Sequence, residues 1–329
     1  MFMKVVRLCL PVCLLCATAV VMAQTSAPTV ALPMVGFVVD NAHRLRPIVG
    51  IPAAASVGTP LELGFEIGSA TIAPGRDYVL ATNPEKAWPV LIQVRGAGVD
   101  VIPTETLIAH ETSVDEPRIS RIALSPNGST AGFLSESQGR LYVLAGLPKS
   151  PVAVAELSVE ALGSIGTFAV SDDGRSIAIS PSSSESGSVA FLTVTGSARY
   201  VTSVRHAAAI SFLRGSEDAI IADDVENRIY SFSGGQLLSI ASSEDGIAHP
   251  IAIAVSNDNA QILVANEQSG SVIAIDRNGG VHQPFFCDCR LTGLHPTATE
   301  SVFRLTDFTG GPVLLFDATT PAPRTIFVP

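Results

Sequence analysis

The segment FAVSDDGRSIAIS, residues 168–180, recurs five more times along the 329-residue chain. Each copy contains an apolar run, a short polar turn and a second apolar run, which is the pattern of two strands joined by a tight turn. The other copies are TIAPGRDYVLATN (71–83), IALSPNGSTAGFL (122–134), ISFLRGSEDAIIADD (210–224), IAVSNDNAQILVAN (253–266) and GLHPTATESVFRLTD (293–307). The chain is therefore expected to repeat one strand–turn–strand unit.

The spacing of the copies is that of a β-propeller. We anchor each copy on the last residue of its central turn, which gives Gly75, Gly128, Gly174, Ser216, Asn259 and Ala298. Successive anchors are 53, 46, 42, 43 and 39 residues apart. Since a four-stranded propeller blade repeats about every 40–50 residues, each copy predicts the first two strands of one blade.

Further apolar runs complete the predicted blades. Third strands are expected at 90–94, 139–146, 187–196, 227–235, 271–276 and 311–320, and fourth strands at 152–157, 200–204, 281–286 and 324–329. Ahead of the repeats, residues 29–32, 35–40 and 46–51 read as two or three more strands. We therefore predict an all-β chain that forms a seven-bladed β-propeller, with six complete four-stranded blades and an incomplete N-terminal blade. A six-bladed ring is the alternative.

The fifth repeat carries the sharpest resemblance to a known family. Its sequence QILVANEQSGSVIAIDRNGG (261–280) resembles the repeat of bacterial exported propellers of the YVTN type. The matching residues are Ala265, Asn266, Ser269, Gly270, Ile275 and Asp276. Ser171, Asp173 and Gly174 match the S-x-D-G turn of related WD40-like exported propellers. The resemblance covers roughly residues 71–320 and implies a propeller fold, but functions differ across such families, so it assigns no catalytic residue.

Residues 1–23 have the features of a secretory signal. Lys4 and Arg7 form a basic start, residues 8–21 are apolar, and Ala23 precedes the expected cleavage point. We therefore expect a signal peptide at 1–23, a single propeller domain at 24–329, and a periplasmic or extracellular location. A retained N-terminal anchor is the alternative, and a lipoprotein signal is less well matched because no small residue directly precedes Cys13 or Cys16.

The net charge of the chain restricts the classes of partner that it is expected to bind. The chain has a formal net charge of −10, and removal of Lys4 and Arg7 with the signal moves it to about −12. Such acidity disfavours nucleic acid and anionic membrane surfaces. No apolar stretch after residue 23 is long enough to span a bilayer. The expected partner is therefore an unidentified protein or small molecule.

Two cysteines remain after cleavage of the expected signal. Cys287 and Cys289 are separated by one residue, whereas Cys9, Cys13 and Cys16 leave with residues 1–23. Alternate residues of an extended strand lie at the limit for a disulfide, so a local turn would be needed to close the bond. A structural disulfide, two buried thiols, and a redox or metal role are all open.

No catalytic signature stands out. The six histidines form no H-E-x-x-H motif, the serines form no G-x-S-x-G motif, and the glycine-rich turns lack the lysine of a phosphate-binding loop. The sequence therefore predicts no catalytic residues and assigns no cofactor.

Polar residues recur at equivalent positions of the predicted blades. Ten residues before the anchors lie Phe65, Arg118, Ser164, His206, His249 and Asp288, and after the second strands lie Asn83, Glu136, Asp223, Asp224, Asn266 and Asp307. In a propeller these two sets of loops share one face, at one mouth of the central channel. The candidates for a ligand or metal site there are His206, His249, Asp288, Asp223, Asn266 and Asp307. Imidazole and carboxylate together would suit zinc, and the alternative is that loop ends are polar because they are hydrated.

The combined features favour an exported, non-catalytic β-propeller that acts as a binding or scaffolding module. Any ligand is expected at the mouth near His206 and His249, and not at the opposite face with its SDDG and SNDN turns. The alternative is a propeller enzyme, most plausibly a lactonase-like hydrolase, with its site at that same mouth.

Overall fold

The chain folds into seven antiparallel sheets. The structure is a computed structural model that describes residues 33–75, 78–95, 98–107, 117–182, 187–320 and 322–329. The expected signal at 1–23 and the possible strand at 29–32 lie outside the described residues. Six sheets have four strands and the first has three. The prediction of a seven-bladed propeller with an incomplete N-terminal blade is confirmed.

The first four blades follow one another along the chain. Blade 1 contains β1 (Met34–Val39), β2 (Leu45–Ile51) and β3 (Ala54–Val57). Blade 2 contains β4 (Ser69–Ile72), β5 (Tyr78–Thr82), β6 (Val90–Arg95) and β7 (Gly98–Pro103). Blade 3 contains β8 (Arg121–Leu124), β9 (Thr130–Ser135), β10 (Arg140–Ala145) and β11 (Val152–Ser158). Blade 4 contains β12 (Ile165–Val170), β13 (Ser176–Pro181), β14 (Val189–Thr193) and β15 (Ala198–Val201).

The last three blades have the same order. Blade 5 contains β16 (Ala207–Phe212), β17 (Ala219–Asp223), β18 (Arg228–Ser233) and β19 (Gln236–Ala241). Blade 6 contains β20 (Pro250–Val255), β21 (Gln261–Asn266), β22 (Ser271–Asp276) and β23 (Phe285–Phe286). Blade 7 contains β24 (His295–Pro296), β25 (Val302–Arg304), β26 (Val313–Asp317) and β27 (Arg324–Val328).

Helical structure is confined to three short turns in the described part of the chain. Each is a 3-10 turn of three residues, at Glu105–Leu107, Glu160–Leu162 and Ser243–Asp245. Within the described ranges, no helix has the length and apolarity needed to cross a membrane. The expectation that strands dominate and that no helix after residue 23 exceeds about three turns is confirmed for these residues.

The repeated turn between the first two strands is closed by side chains. In blade 4 the hydroxyl of Ser171 accepts a hydrogen bond from the Ser176 amide at 3.0 Å and donates one to Asp173 at 2.7 Å. Gly174 then takes a left-handed backbone conformation with φ of 71°, which glycine adopts without a steric penalty. In blades 5 and 7 the left-handed residues are Gly215 and Ser301, so the anchors taken as Ser216 and Ala298 do not have this conformation.

The core lies between neighbouring blades. Every residue of β9 and of β17 is buried, because a second strand packs against a neighbouring blade on each of its two faces. Between blades 5 and 6, for example, Ile220, Ile262 and Ile273 belong to one buried apolar cluster. Each fully buried aliphatic side chain contributes about 1.5–3 kcal/mol, so the ring is stabilised mainly by these interfaces.

Blade 1 has no inner strand among the described residues. Its β1 is buried at four consecutive positions, as the second strands of other blades are. The inner end of blade 7 packs against it, because the Thr299 amide donates to the Val35 carbonyl at 3.2 Å. The Gly75 amide of blade 2 donates to the Thr297 carbonyl of blade 7 at 3.0 Å. Among the described residues, the inner strands of blades 2 to 7 surround the channel.

Candidate functional site

The channel has two distinct ends. The mouth face carries the loops that enter each blade and the loops that follow each second strand. The turn face carries the turns between the first and second strands, such as residues 171–174 and 256–259. The predicted site residues belong to the mouth face.

The two mouth-face histidines each pair with an acid of their own blade. His206 Nδ1 lies 2.7 Å from Asp224 Oδ1 in blade 5. His249 Nε2 lies 3.5 Å from Glu267 Oε2 in blade 6. Since each acid follows the second strand of the same blade, these contacts hold the entering loop against the sheet.

The side chains of Asp223 and Asn266 accept hydrogen bonds from loop backbone amides and are shielded from solvent. Both are fully buried. One oxygen of Asp223 accepts from the Arg205 amide at 2.7 Å, and the other accepts from the Val225 and Glu226 amides. The Asn266 side-chain oxygen accepts from the Ala248 amide at 3.1 Å. These two predicted ligand residues therefore fix the loops that enter blades 5 and 6.

Asp288 and Asp307 occupy different settings. Asp288 is exposed in the connection from blade 6 to blade 7, in a left-handed conformation with φ of 49°. Asp307 pairs with Arg304 at 3.0 Å and lies 3.8 Å from His295. His295, at the start of the inner strand of blade 7, was not among the predicted residues, although its place before a short strand is visible in the sequence.

The surroundings of His295 at the mouth face lower the pKa of its imidazole. Burial, followed by the nearby positive charge of Arg304, lowers the pKa of His295 to about 4, and Asp307 opposes this only in part. The imidazole is therefore neutral near pH 7. A neutral histidine beside an arginine can accept a proton or a hydrogen bond, but its Nε2 already lies 3.3 Å from the Thr292 hydroxyl.

No metal centre is assembled in the described part of the chain. Nowhere within it do three or more His, Cys, Asp or Glu side chains come close enough to hold an ion. Binding of a ligand or metal by the mouth-face residues stays a prediction.

Cys287 and Cys289 are joined by a disulfide, with sulfur atoms 2.03 Å apart. A bend at 288–289 brings their Cα atoms to 5.2 Å, which is closer than an extended strand would allow. The Cys287 amide donates to the Gly270 carbonyl at 3.1 Å. This backbone hydrogen bond fastens the end of blade 6 to the loop after its second strand, and the disulfide closes the bend that follows.

One cavity lined by the described residues lies at the turn-face end of the channel. It has a volume of about 270 Å³. Its wall is formed by the last two or three residues of the inner strands of blades 2 to 6 and by turn residues of blades 2, 3, 5 and 6. Blade 7 contributes residues from the segment between 294 and 303. Ile72, Phe168, Ile210, Ile253 and Phe303 make much of this wall apolar. Such a concave apolar space with a few polar groups at its edge is the usual form of a small-molecule site.

Two charged residues stand at the edge of this cavity. Arg214 lies in the turn of blade 5 and Glu300 in the turn of blade 7, with Arg214 Nη1 3.7 Å from Glu300 Oε1. A Cβ added to Gly75 of blade 2 would lie 2.9 Å from Glu300 Cγ. Glu300 therefore reaches from blade 7 past blade 2 toward blade 5 at this end of the channel.

Arg214 and Glu300 were not predicted from the sequence, although the position of Arg214 in the repeat carried a signal. The second residue of the repeated turn is Pro126, Asp172 and Asn257 in three other blades, and arginine only in blade 5. A long cation at a position that lines the channel departs from the repeat. Glu300 had no comparable signal, because its turn is longer than the others.

The fold is shared with solved structures of low sequence identity. A streptogramin B lyase matches with a TM-score of 0.56 and 13% identity over 86% of each chain. Virginiamycin B lyase from Staphylococcus aureus matches with a TM-score of 0.53 and 12% identity, over 75% of this chain and 80% of that one. A protein of unknown function from Desulfotomaculum acetoxidans has a TM-score of 0.59 and 15% identity, over 90% and 95%.

These similarities establish the propeller fold and no more. No family model matches the chain. No curated protein matches it in sequence. The resemblance to YVTN-type repeats therefore stays an expectation, and the chain is a seven-bladed β-propeller similar in fold to the two lyases and to the protein of unknown function.

Proposed function

We propose that this chain is an exported, non-catalytic binding module that holds a small ligand with an apolar body in the turn-face cavity. The observation that carries the proposal is the cavity itself, which lies on the channel axis and has an apolar wall contributed by six blades. Burial of apolar ligand surface against such a wall provides the main driving force for binding.

The contacts made by the mouth-face side chains support a non-catalytic role. A hydrolase needs a nucleophile or base and an acid that converge on one position. Here His206 and His249 are each engaged with an acid of their own blade, while Asp223 and Asn266 are used to hold loops. The hydrolase alternative therefore has less support than binding.

Export is supported by two independent features. Residues 1–23 combine a basic start, an apolar run and a small residue before the expected cleavage point. The Cys287–Cys289 disulfide suits an oxidising compartment, where such bonds persist.

The proposal is tested with N-phenyl-1-naphthylamine, an uncharged fluorescent probe with an apolar body. We expect residues 24–329 to bind it saturably, with one probe per chain. Ser211 lines the cavity, so Ser211→Phe should fill part of the space and weaken binding at least about tenfold.

Ser233→Phe is the matched control, because Ser233 is exposed at the end of β18 in the same blade and outside the cavity. It should leave the affinity within about twofold of the unmodified chain. Equal binding by the Ser211→Phe and Ser233→Phe proteins, or no saturable binding at all, would exclude the cavity as the site.

A further inference from the structure

The turn that carries Arg214 is held from both sides. The Asn259 side chain accepts from the Arg214 amide at 2.8 Å and donates to the Arg214 carbonyl at 3.0 Å. On the other side, Asp172 accepts from the Gly215 amide at 2.8 Å. Blades 4 and 6 therefore fix the backbone from which the arginine side chain extends to the cavity. A fixed backbone lowers the entropic cost of using that side chain to bind a ligand.

The guanidinium of Arg214 is poorly satisfied. Its side chain is only 21% exposed, and its Nε is buried without a hydrogen-bond partner in the described structure. Its one ion pair with a described residue, Glu300, spans 3.7 Å, which is longer than a charge-assisted hydrogen bond. A buried donor with no acceptor is costly and calls for an acceptor from elsewhere.

Two other arginines with a buried Nε make more side-chain hydrogen bonds than Arg214 does. Arg121 and Arg304 also have a buried Nε without a partner. However, Arg121 donates to the Gly166 and Ile165 carbonyls, and Arg304 donates to Thr306 and Asp307. Arg214 makes no hydrogen bond of this kind to the described residues.

We propose that the turn-face cavity takes an organic anion, whose apolar body lies against the inner strands and whose carboxylate, sulfonate or phosphate group binds Arg214. The inference rests on the proposed function, since it assumes that the cavity is the binding site. A guanidinium offers a planar set of donors that matches such oxyanions.

Glu300 is a competing acceptor in this arrangement. Its side chain is 57% exposed, so it can turn toward water when an anion takes its place beside Arg214. Removal of its negative charge should favour the incoming anion, because two like charges would otherwise share one cation.

The test compares two probes with the same aromatic body. N-phenyl-1-naphthylamine is uncharged, and 8-anilinonaphthalene-1-sulfonate adds a sulfonate. Residues 24–329 should bind the sulfonate probe more tightly, and Arg214→Gln should weaken its binding by about tenfold or more. The affinity for the uncharged probe should change less than about twofold. Glu300→Gln should strengthen the binding of the sulfonate probe alone.

Arg175→Gln is the matched control. Arg175 is 78% exposed in a turn of the same face and does not line the cavity, so its loss removes the same charge without removing the contact. If Arg214→Gln and Arg175→Gln affect the sulfonate probe equally, anion recognition by Arg214 is wrong while cavity binding stands. If neither probe binds the unmodified chain saturably, the proposed function itself fails.

Discussion

At the scale of single residues, the polar residue at the end of the second strand has the same structural role in several blades. The residue at the end of the second strand is Asp40 in blade 1, Asp223 in blade 5 and Asn266 in blade 6, and each is buried and accepts hydrogen bonds from backbone amides of nearby loops. Burial raises the pKa of Asp40, but hydrogen bonds from Arg46 and Arg44 outweigh it and hold that pKa well below its usual range. These side chains therefore hold loop backbone, and a ligand role for Asp223 and Asn266 stays a prediction.

His295 makes the stability of the fold depend on pH. Its pKa in the folded chain, about 4, lies below the ordinary value of 6.5, so the unfolded chain binds a proton first as the pH falls. The contribution of neutral His295 is complete above about pH 6.5 and is lost progressively as the pH falls from about 6.5 to about 4.

Urea unfolding at pH 7 and pH 5 measures this effect. The unmodified chain should lose more stability between these two values than His295→Gln, which cannot take up the proton. The side chain is 36% exposed, so water screens part of the effect. Identical losses in the two proteins would show that His295 is not held neutral by the fold.

At the scale of elements, neighbouring blades approach most closely where a small residue permits it. Gly132 in β9 of blade 3 faces β12 of blade 4. A Cβ at this position would lie 2.9 Å from Phe168 Cε2 and 2.9 Å from Val170 Cγ1. Phe168 and Val170 are buried in the interface between the two blades, so an added Cβ would push them out of their packed positions there.

Gly132→Ala should therefore destabilise the propeller by about 1–3 kcal/mol through overpacking. The measurement is the free energy of unfolding in urea. Gly311→Ala is the control, because a Cβ at Gly311 meets no atom within 4 Å and should change stability by less than about 0.5 kcal/mol. A Gly132→Ala protein as stable as the control would contradict close packing of blades 3 and 4 at this position.

The strands were predictable from the sequence because each repeat alternates apolar runs with turn residues at a propeller period. Individual short strands were harder to predict from the sequence. The fourth strand expected at 281–286 is reduced to Phe285–Phe286, because Pro284 has no amide to pair and residues 277–280 form a turn that diverts the chain. In the longer turn of blade 7 the left-handed residue is Ser301, three residues after the spacing anchor Ala298.

At the scale of the whole molecule, the candidate site depends on how the ring closes. Repeat spacing could predict that His206 and His249 occupy equivalent places on one face. It could not predict their partners, because Asp224 and Glu267 approach them through side-chain geometry within each blade. It also could not predict that blade 7 meets blade 2 at the inner ring, through Thr297 and Gly75. The cavity arises from that closure.

Binding of a ligand in the channel at the turn face can be seen directly in a crystal structure with a heavy-atom ligand. Crystals of residues 24–329 grown with 1-bromonaphthalene would locate bromine by anomalous scattering. We expect one bromine site inside the cavity, among Phe168, Ile210 and Ile253. A bromine site at the mouth face beside His206 and His249, or none in the channel, would contradict it.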